Sequence, residues 1–335
     1  MSVFLDSSVA FQLGAYEVKW YGVIIAAAVV LAIYLATRIA RYRGLTVDNI
    51  IDFALIAVPL GVVCARLYYI AFSWAEFVDG PDFPLSLIQI QKGGIAIYGA
   101  VIGGVLAAFI YSKFKKINIL ALLDIAAPVV VLAQCVGRWG NFANQEAFGR
   151  PVYDTAMQWF PYAVFIDAEQ GWFQATFFYE SLWCLLVFGI LMWFFFGKGP
   201  AGKLNRSWAI KRGFETGEAA NRALPKGNIA FMYFALYGLG RAFIEPLRSD
   251  SLYVGNLRAS FWLSLILLVG SAAAIYANYR YGRPAQELSG DLVTVTKVKK
   301  ASENFPIING DYEDDDQPEA EDAPLLVNDE ENLDA

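Results

Sequence analysis

The segment Gly137–Gly149 concentrates side chains that could do chemistry. It reads GRWGNFANQEAFG and directly follows an apolar run, Ile119–Val136. Buried amide and charged side chains cost several kcal/mol unless they are paired, so this concentration beside a hydrophobic span predicts a polar site. The glycines allow the backbone to approach a ligand closely. The alternative is a glycine-rich loop whose asparagines serve turns.

A second set of ionisable residues lies within or near the ends of other apolar runs, where charged groups are functional candidates by default. Three of them follow a tyrosine at spacings of four, four and three residues, which places all four on one face of a helix. They are Tyr237, Arg241, Glu245 and Arg248, with an expected kink at Pro246. The others are Asp52, Arg66, Asp124 and Glu180.

The signs of these charges predict an anion site. The arginines exceed the acids expected among them by one positive charge, counting Arg66, Arg138, Arg241 and Arg248 against Glu146, Glu180 and Glu245. Planar guanidinium groups match phosphate oxygens in a bidentate way, so phosphate is the expected ligand. The alternative is an Arg241–Glu245 pair that only neutralises itself.

The elements that must position these residues are membrane helices. The chain has 335 residues, of which 57% are hydrophobic, compared with roughly 45–50% in a soluble domain. Apolar runs of about 20 residues, the length that crosses a bilayer, predict an all-α polytopic membrane protein with about seven transmembrane helices. These are Trp20–Ala36, Ile50–Phe72, Gly93–Ser112, Ile119–Val136, Thr176–Phe196, Asn228–Leu247 and Arg258–Tyr279.

Lysine and arginine are concentrated in alternate connections, which predicts an outside N-terminus and a cytoplasmic C-terminus. Two domains are expected: a transmembrane catalytic domain over residues 1–284 and an acidic, disordered cytoplasmic tail over residues 285–335. The chain contains no histidine. This excludes Ser-His-Asp and Cys-His mechanisms built from its own side chains and argues against a metal site of the usual histidine type.

The segment Gly137–Gly149 resembles the signature of the prolipoprotein diacylglyceryl transferases, Gly-Arg-x-Gly-Asn-Phe-x-Asn-x-Glu-x-x-Gly, and fills each of its fixed positions. Other blocks are similar to that family in the same order. They are Trp20–Gly22, Gly61–Tyr69, Gly93–Gly99, Asp124–Pro128, Gln174–Glu180 and Tyr237–Arg241 with Glu245. Together they extend from residue 20 to about residue 250.

This resemblance implies transfer of the diacylglyceryl group from phosphatidylglycerol to the lipobox cysteine of a prolipoprotein, the first step of bacterial lipoprotein maturation. The nucleophile then belongs to the substrate, and no metal or other cofactor is needed. The expected partners are phosphatidylglycerol, prolipoprotein signal peptides and membrane lipid, with no nucleic acid. The expected location is the bacterial plasma membrane, with the active site toward the outer face.

The resemblance also suggests residue roles. Arg138 and Arg241 are expected to stabilise charge on the phosphate. The other predicted catalytic residues are Tyr98, Glu180 and Glu245. The predicted lipid-binding residues, besides Arg138, are Tyr21, Arg66, Asn141, Asn144, Glu146, Gly149 and Arg248.

Two positions depart from the family pattern: Tyr98 and Gln174 stand where many members carry histidine. The proton acceptor for the thiol is therefore open. Tyr98 is a poor base unless surplus positive charge lowers its pKa, so a hydrogen-bond role is preferred for it. Glu180 or Glu245 could accept the proton instead.

Two other kinds of function are alternatives to a transferase. A transporter of a lipid or small anion could use the same arginines, but it would more naturally show inverted repeats, and no repeat is found in this sequence. A structural membrane subunit has no use for the polar density of Gly137–Gly149.

Overall fold

The fold is that of a computed structural model of the chain, in which residues 9–14, 16–78, 83–89, 93–211, 223–248, 253–254 and 257–281 are described. Most of these residues are helical. The predicted acidic tail, residues 285–335, lies outside the described residues. Its disorder and the domain boundary before it therefore stay predictions.

Within the described ranges, six helices are long and apolar enough to cross a membrane, which confirms the prediction of a polytopic helical membrane protein. They are α1 (Trp20–Ile39), α2 (Val47–Phe72), α4 (Ile97–Lys115), α5 (Ile119–Ala143), α6 (Thr176–Phe196) and α9 (Ala259–Tyr281). The remaining predicted span, Asn228–Leu247, corresponds to α8 (Asn228–Ile244), which is shorter at 17 residues. The total of seven spans stays a prediction.

Local signals begin and end the long helices. Thr46 caps α2 through a capping box with Asn49, in which each side chain accepts the other's backbone N–H. Asn118 caps α5 by accepting from the Ala121 N–H at 3.1 Å. Gly197 follows α6 with a left-handed backbone at φ 59°, a common helix stop.

The helix α5 is the central element, since it packs against α1, α6 and α8. Its buried side chains include Leu122, Ile125 and Val131, which belong to the main hydrophobic core together with residues of α6 and α8. A second tight pair, α2 with α4, forms where Gly99 and Gly103 of α4 lie against the α2 backbone. A Cβ atom at Gly103 would lie 2.7 Å from the Leu60 carbonyl oxygen, so only glycine fits there.

Small elements connect the helices. The hairpin β1–β2 comprises Val9–Leu13 and Tyr16–Lys19, the hairpin β3–β4 comprises Ala163–Ile166 and Gly171–Gln174, and β5 (Tyr253–Val254) pairs with β6 (Leu257–Arg258). Two further helices, α3 (Trp74–Val78) and α7 (Gly199–Lys211), are shorter than the membrane-spanning ones. The hairpin β3–β4 directly precedes α6. It is hydrogen-bonded to the Gly137–Gly149 segment through Asp167 and Gln174.

Candidate active site

Glu180 of α6 is shared by three arginines. Its Oε1 atom accepts from the Nη1 atoms of Arg241 at 2.8 Å and Arg248 at 3.0 Å. Its Oε2 atom contacts Arg138 Nη2 at 2.5 Å. The Glu180 side chain is only 6% exposed, so one buried carboxylate joins α5, α6 and the end of α8.

Glu245 completes this group, which we call the arginine cluster: Arg138, Glu180, Arg241, Glu245 and Arg248. Its Oε2 atom lies 2.9 Å from Arg241 Nη2, and its side chain is fully buried. Three guanidinium groups thus face two carboxylates, which leaves a surplus of one positive charge when all five are ionised. The Arg138 and Arg241 side chains remain 18% and 17% exposed, so an anion from outside can reach them.

The donors of Arg138 and Arg241 are only partly used in the ion pairs that the described part of the chain shows. A guanidinium group carries five N–H donors in a planar fork. The ion pairs with Glu180 and Glu245 involve one terminal nitrogen of Arg138 and both terminal nitrogens of Arg241. The cluster therefore combines a surplus charge, partial exposure and remaining donors, which together suit a phosphate group.

Small residues bring the helices close enough for these contacts. Gly240 of α8 lies against the indole of Trp183, where a Cβ atom would overlap the ring. The Trp183 Nε1–H donates to the Leu236 carbonyl at 3.0 Å and so ties α6 to α8. On α5, a Cβ atom at Gly140 would lie 3.0 Å from the Tyr21 ring. These contacts place Arg241 beside Glu180 and Tyr21 beside the last turns of α5.

The predicted Gly137–Gly149 segment is partly helical. The helix α5 continues to Ala143, so Arg138 and Asn141 project from a helix, and Asn144 is its C-cap. Beyond it the chain turns back, and Asn141 Nδ2 donates to Glu146 Oε1 at 2.8 Å. The Tyr21 ring packs against Gly140, two residues after Arg138 on the same helix. Asn141 and Asn144 thus lie within two turns of Arg138 at the end of α5, and Glu146 is held beside Asn141.

The turn that contains Glu146 is hydrogen-bonded to the hairpin β3–β4 and to the start of α6. Gln145, with a left-handed φ of 51°, makes two side-chain hydrogen bonds to Asp167: its Nε2–H donates to Asp167 Oδ2 at 2.5 Å, and its Oε1 accepts from the Asp167 N–H at 2.7 Å. The Thr176 hydroxyl donates to the Ala147 carbonyl at 2.6 Å. These contacts hold a turn in which both Gln145 and Ala147 have a left-handed backbone.

Gly149 sits at a crowded junction. Its N–H donates to the Gln174 carbonyl at 2.9 Å, and it forms an antiparallel bridge with Arg248. A Cβ atom here would lie 2.8 Å from side-chain carbons of both Gln174 and Thr176. Gly149 thus allows close packing at this junction, and its backbone pairing positions Arg248 near the cluster.

In the described part of the chain, Arg66 and Tyr98, both predicted site residues, make their observed contacts in the α2–α4 region and not with the arginine cluster. The Arg66 guanidinium donates to the backbone carbonyls of Ser86, Leu87, Gly93 and Gly94. Tyr98 lies in the first turn of α4, is 38% exposed, and has its ring 6.1 Å from that of Tyr68.

The prediction did not assign a role to Tyr237. With Glu180, Gly240 and Arg241, it lines a small cavity beside the cluster. Its spacing of four residues from Arg241 was the available signal. Among the described residues, no group of three or more histidine, cysteine or acidic side chains is arranged to hold a metal ion.

Comparison with known proteins decides the family. Residues 8–277 match the family described as prolipoprotein diacylglyceryl transferase. The chain belongs to this family. The predicted family and the predicted transferase class are thereby confirmed, and the transporter alternative is not favoured.

Its relatives include enzymes named phosphatidylglycerol–prolipoprotein diacylglyceryl transferase. The protein from Ligilactobacillus salivarius strain UCC118 is 38% identical over 280 residues, covering 82% of this chain and 94% of the relative. The one from Streptococcus agalactiae serotype V is 40% identical and covers 80% and 95%. The one from Acaryochloris marina strain MBIC 11017 is 40% identical and covers 76% and 85%. The likeness thus extends over nearly the full length of these transferases.

Proposed function

We propose that this chain transfers the diacylglyceryl group of phosphatidylglycerol to the thiol of a lipobox cysteine in a prolipoprotein. The observation that carries this proposal is the arginine cluster, which holds a surplus positive charge, partly exposed, within an apolar helix bundle. Charge of that kind at such a position is costly unless an anion uses it. The names of the relatives supply the substrates.

In the proposed reaction the cysteine sulfur attacks the glycerol carbon that is bonded to the phosphate oxygen. A carbon–sulfur bond forms while the carbon–oxygen bond breaks, and glycerol phosphate leaves with the electron pair. The thiol proton passes to a base. Negative charge therefore develops on the departing oxygen, where Arg138 and Arg241 can stabilise it by about 3–4 kcal/mol each.

Glu180 is proposed to orient the three arginines. Both of its oxygens already accept from guanidinium groups, which leaves it poorly placed to take the thiol proton. Glu245 is enclosed next to Arg241 and is given the same orienting role. Fixed donors cost little reorganisation when charge develops, which is how such preorganisation accelerates a reaction.

The glycerol head group and the lipid esters are proposed to contact the polar groups around Arg138, namely Tyr21, Asn141, Asn144, Glu146 and Arg248. Tyr98 is proposed to donate a hydrogen bond to the lipid. Arg66 and Gly149 serve the lipid site indirectly, because their observed contacts hold the segments next to it.

We also propose that the chain lies in the bacterial plasma membrane with the arginine cluster toward the outer face. The distribution of lysine and arginine supports this orientation: Arg38 lies in the last turn of α1, Arg41 and Arg43 follow it, and Lys113, Lys115 and Lys116 end α4. Both groups lie at the ends of helices opposite to Tyr21 and Tyr98.

The test uses the purified full-length chain in lipid nanodiscs. Phosphatidylglycerol discs and a lipobox peptide should yield a peptide heavier by one diacylglyceryl group. A matched peptide with serine in place of the cysteine should gain nothing, and neither peptide should gain mass in phosphatidylcholine discs. An unmodified cysteine peptide in phosphatidylglycerol, with the protein demonstrably folded, would overturn the proposal.

A further inference from the structure

The helix that carries Arg241 has no capping side chain of its own. The first four N–H groups of a helix lack acceptors within the helix. The side chain of the residue that precedes the helix usually accepts a hydrogen bond from one of them. In α8 that residue is Gly227, which has φ 90° and no side chain to offer. The missing acceptor comes from another helix.

Asp124 of α5 supplies it. Its Oδ2 atom accepts from the Gly227 N–H at 2.9 Å, and its Oδ1 atom accepts from the Ala230 N–H at 3.1 Å. Asp124 is fully buried, and among the described residues it pairs with Arg43, whose Nε atom is 3.9 Å away. One carboxylate thus caps α8 across the α5–α8 pair, as a cap residue within α8 would otherwise do.

This cap lies far from the arginine cluster but on the same two helices. Asp124 and Arg138 are separated by about four turns of α5, or roughly 21 Å, while Ala230 and Arg241 are separated by about three turns of α8, or roughly 17 Å. Between these ends, Gln134 and Tyr233 exchange hydrogen bonds at 2.9 and 3.2 Å. The two helices therefore run in the same direction and are tied at both ends.

We infer that Asp124 is a positioning residue for the transferase: by capping α8 from α5, it sets the height of Arg241 relative to Arg138 at the phosphate. The inference rests on the proposed function. Because a shift of about 1 Å at a reacting group can cost a hundredfold in rate, a cap that fixes the register of α8 matters even from this distance.

The first test compares Asp124→Ala with Asp52→Ala in phosphatidylglycerol nanodiscs, with rates expressed per folded molecule. Asp52 is a matched control, since it also pairs with a cation on another helix, Lys115 at 2.8 Å, but is 41% exposed and far from α8. We expect kcat to fall about 10- to 100-fold in Asp124→Ala and to change less than about twofold in Asp52→Ala. If Asp124→Ala does not fold, Asp124→Asn replaces it, because the amide keeps one acceptor oxygen.

The second test asks whether Asp124 acts through Arg241. Two residues that do not touch normally have additive effects, whereas residues that act through one another do not. In an Arg241→Lys background, the Asp124 variant should therefore cost much less than it does alone, and Asp52→Ala should cost the same in both backgrounds. A loss of stability alone would leave the rate per folded molecule unchanged.

Amide hydrogen exchange separates this inference from the proposed function. In the Asp124 variant, exchange in the first turn of α8 should become about tenfold faster, as expected for the loss of a helix cap. Unchanged exchange there, an unchanged kcat per folded molecule, or additive effects with Arg241→Lys would overturn the inference while the active wild type upholds the transferase. An inactive wild type would overturn the proposed function itself.

Discussion

Glu180 and Asp124 are both buried carboxylates that face arginine, but they differ in what surrounds them. Glu180 meets three guanidinium groups, two of which remain 17–18% exposed. Asp124 meets two backbone N–H groups and, at 3.9 Å, the buried Arg43, which also lies over the Phe195 ring. The arginine cluster around Glu180 has three arginines against two glutamates and is partly exposed to solvent. The Asp124 site has one arginine against one aspartate, and both side chains are buried.

The difference separates a binding site from a structural contact by physical criteria. Breaking a buried ion pair costs about 3–5 kcal/mol whichever role it has, so burial and charge alone do not identify function. Partly exposed guanidinium groups with remaining donors do, because an external anion can reach them and accept from those donors. We therefore expect substitutions at the Glu180 end to change the reaction rate and lipid recognition. Substitutions at the Asp124 end should change helix positions and stability.

The largest effect is expected for Arg241→Ala. This variant removes one proposed phosphate donor and also an ion-pair partner of both Glu180 and Glu245. We expect kcat/KM to fall about 1000-fold or more, at the upper end of the loss of one oxyanion donor. Peptide modification measured per folded molecule checks it. Residual activity within tenfold of wild type would remove Arg241 from the proposed mechanism.

Glu180→Gln sharpens the comparison because it leaves the shape but removes the shared negative charge. The three arginines should lose their fixed orientation while the site becomes more positive. We expect kcat to fall about 100-fold without a rise in the KM for phosphatidylglycerol, since charge attraction remains. Asp124→Asn is the matched change at the other end and should lower kcat about tenfold or less. A weaker effect at Glu180 than at Asp124 would reverse the comparison.

Tyr98→Phe is expected to have the smallest effect. Tyr98 lies outside the contacts of the arginine cluster, so loss of its hydroxyl should lower the rate only about two- to tenfold. Tyr98→His, which keeps a donor, should retain most activity. A pH–rate profile of wild type beside the Phe variant is the check. If the rise in rate at alkaline pH vanished only in Tyr98→Phe, Tyr98 would be the base.

The helices could be predicted because apolar length alone specifies a membrane span. Their ends could not, since these depend on local partners. The predicted third span begins at Gly93, but α4 begins at Ile97, because Gly93 and Gly94 adopt positive φ angles and present their carbonyls to Arg66. The predicted fourth span ends at Val136, but α5 continues to Ala143, since Arg138 and Asn141 find polar partners there.

The site was predictable where its residues are close in sequence. The Arg241–Glu245 pair follows from a spacing of four residues and is observed at 2.9 Å. The sharing of Glu180 by three arginines could not be predicted, because it joins residues of different helices that are distant in sequence. Arg66 shows the same limit: its type suits an anion, but four backbone carbonyls engage its guanidinium.

The central claim is that the guanidinium geometry of the arginine cluster, and not burial or charge in general, carries the reaction. The most direct measurement is the transfer rate of Arg138→Lys beside Arg43→Lys, both in phosphatidylglycerol nanodiscs and both per folded molecule. A lysine keeps the charge but not the planar fork. We expect a fall of about 100-fold or more for Arg138→Lys. For Arg43→Lys we expect a change within about threefold, because lysine keeps the charge and Asp124 keeps its two backbone donors. Equal rates in the two variants, or a greater loss in Arg43→Lys, would contradict the central claim.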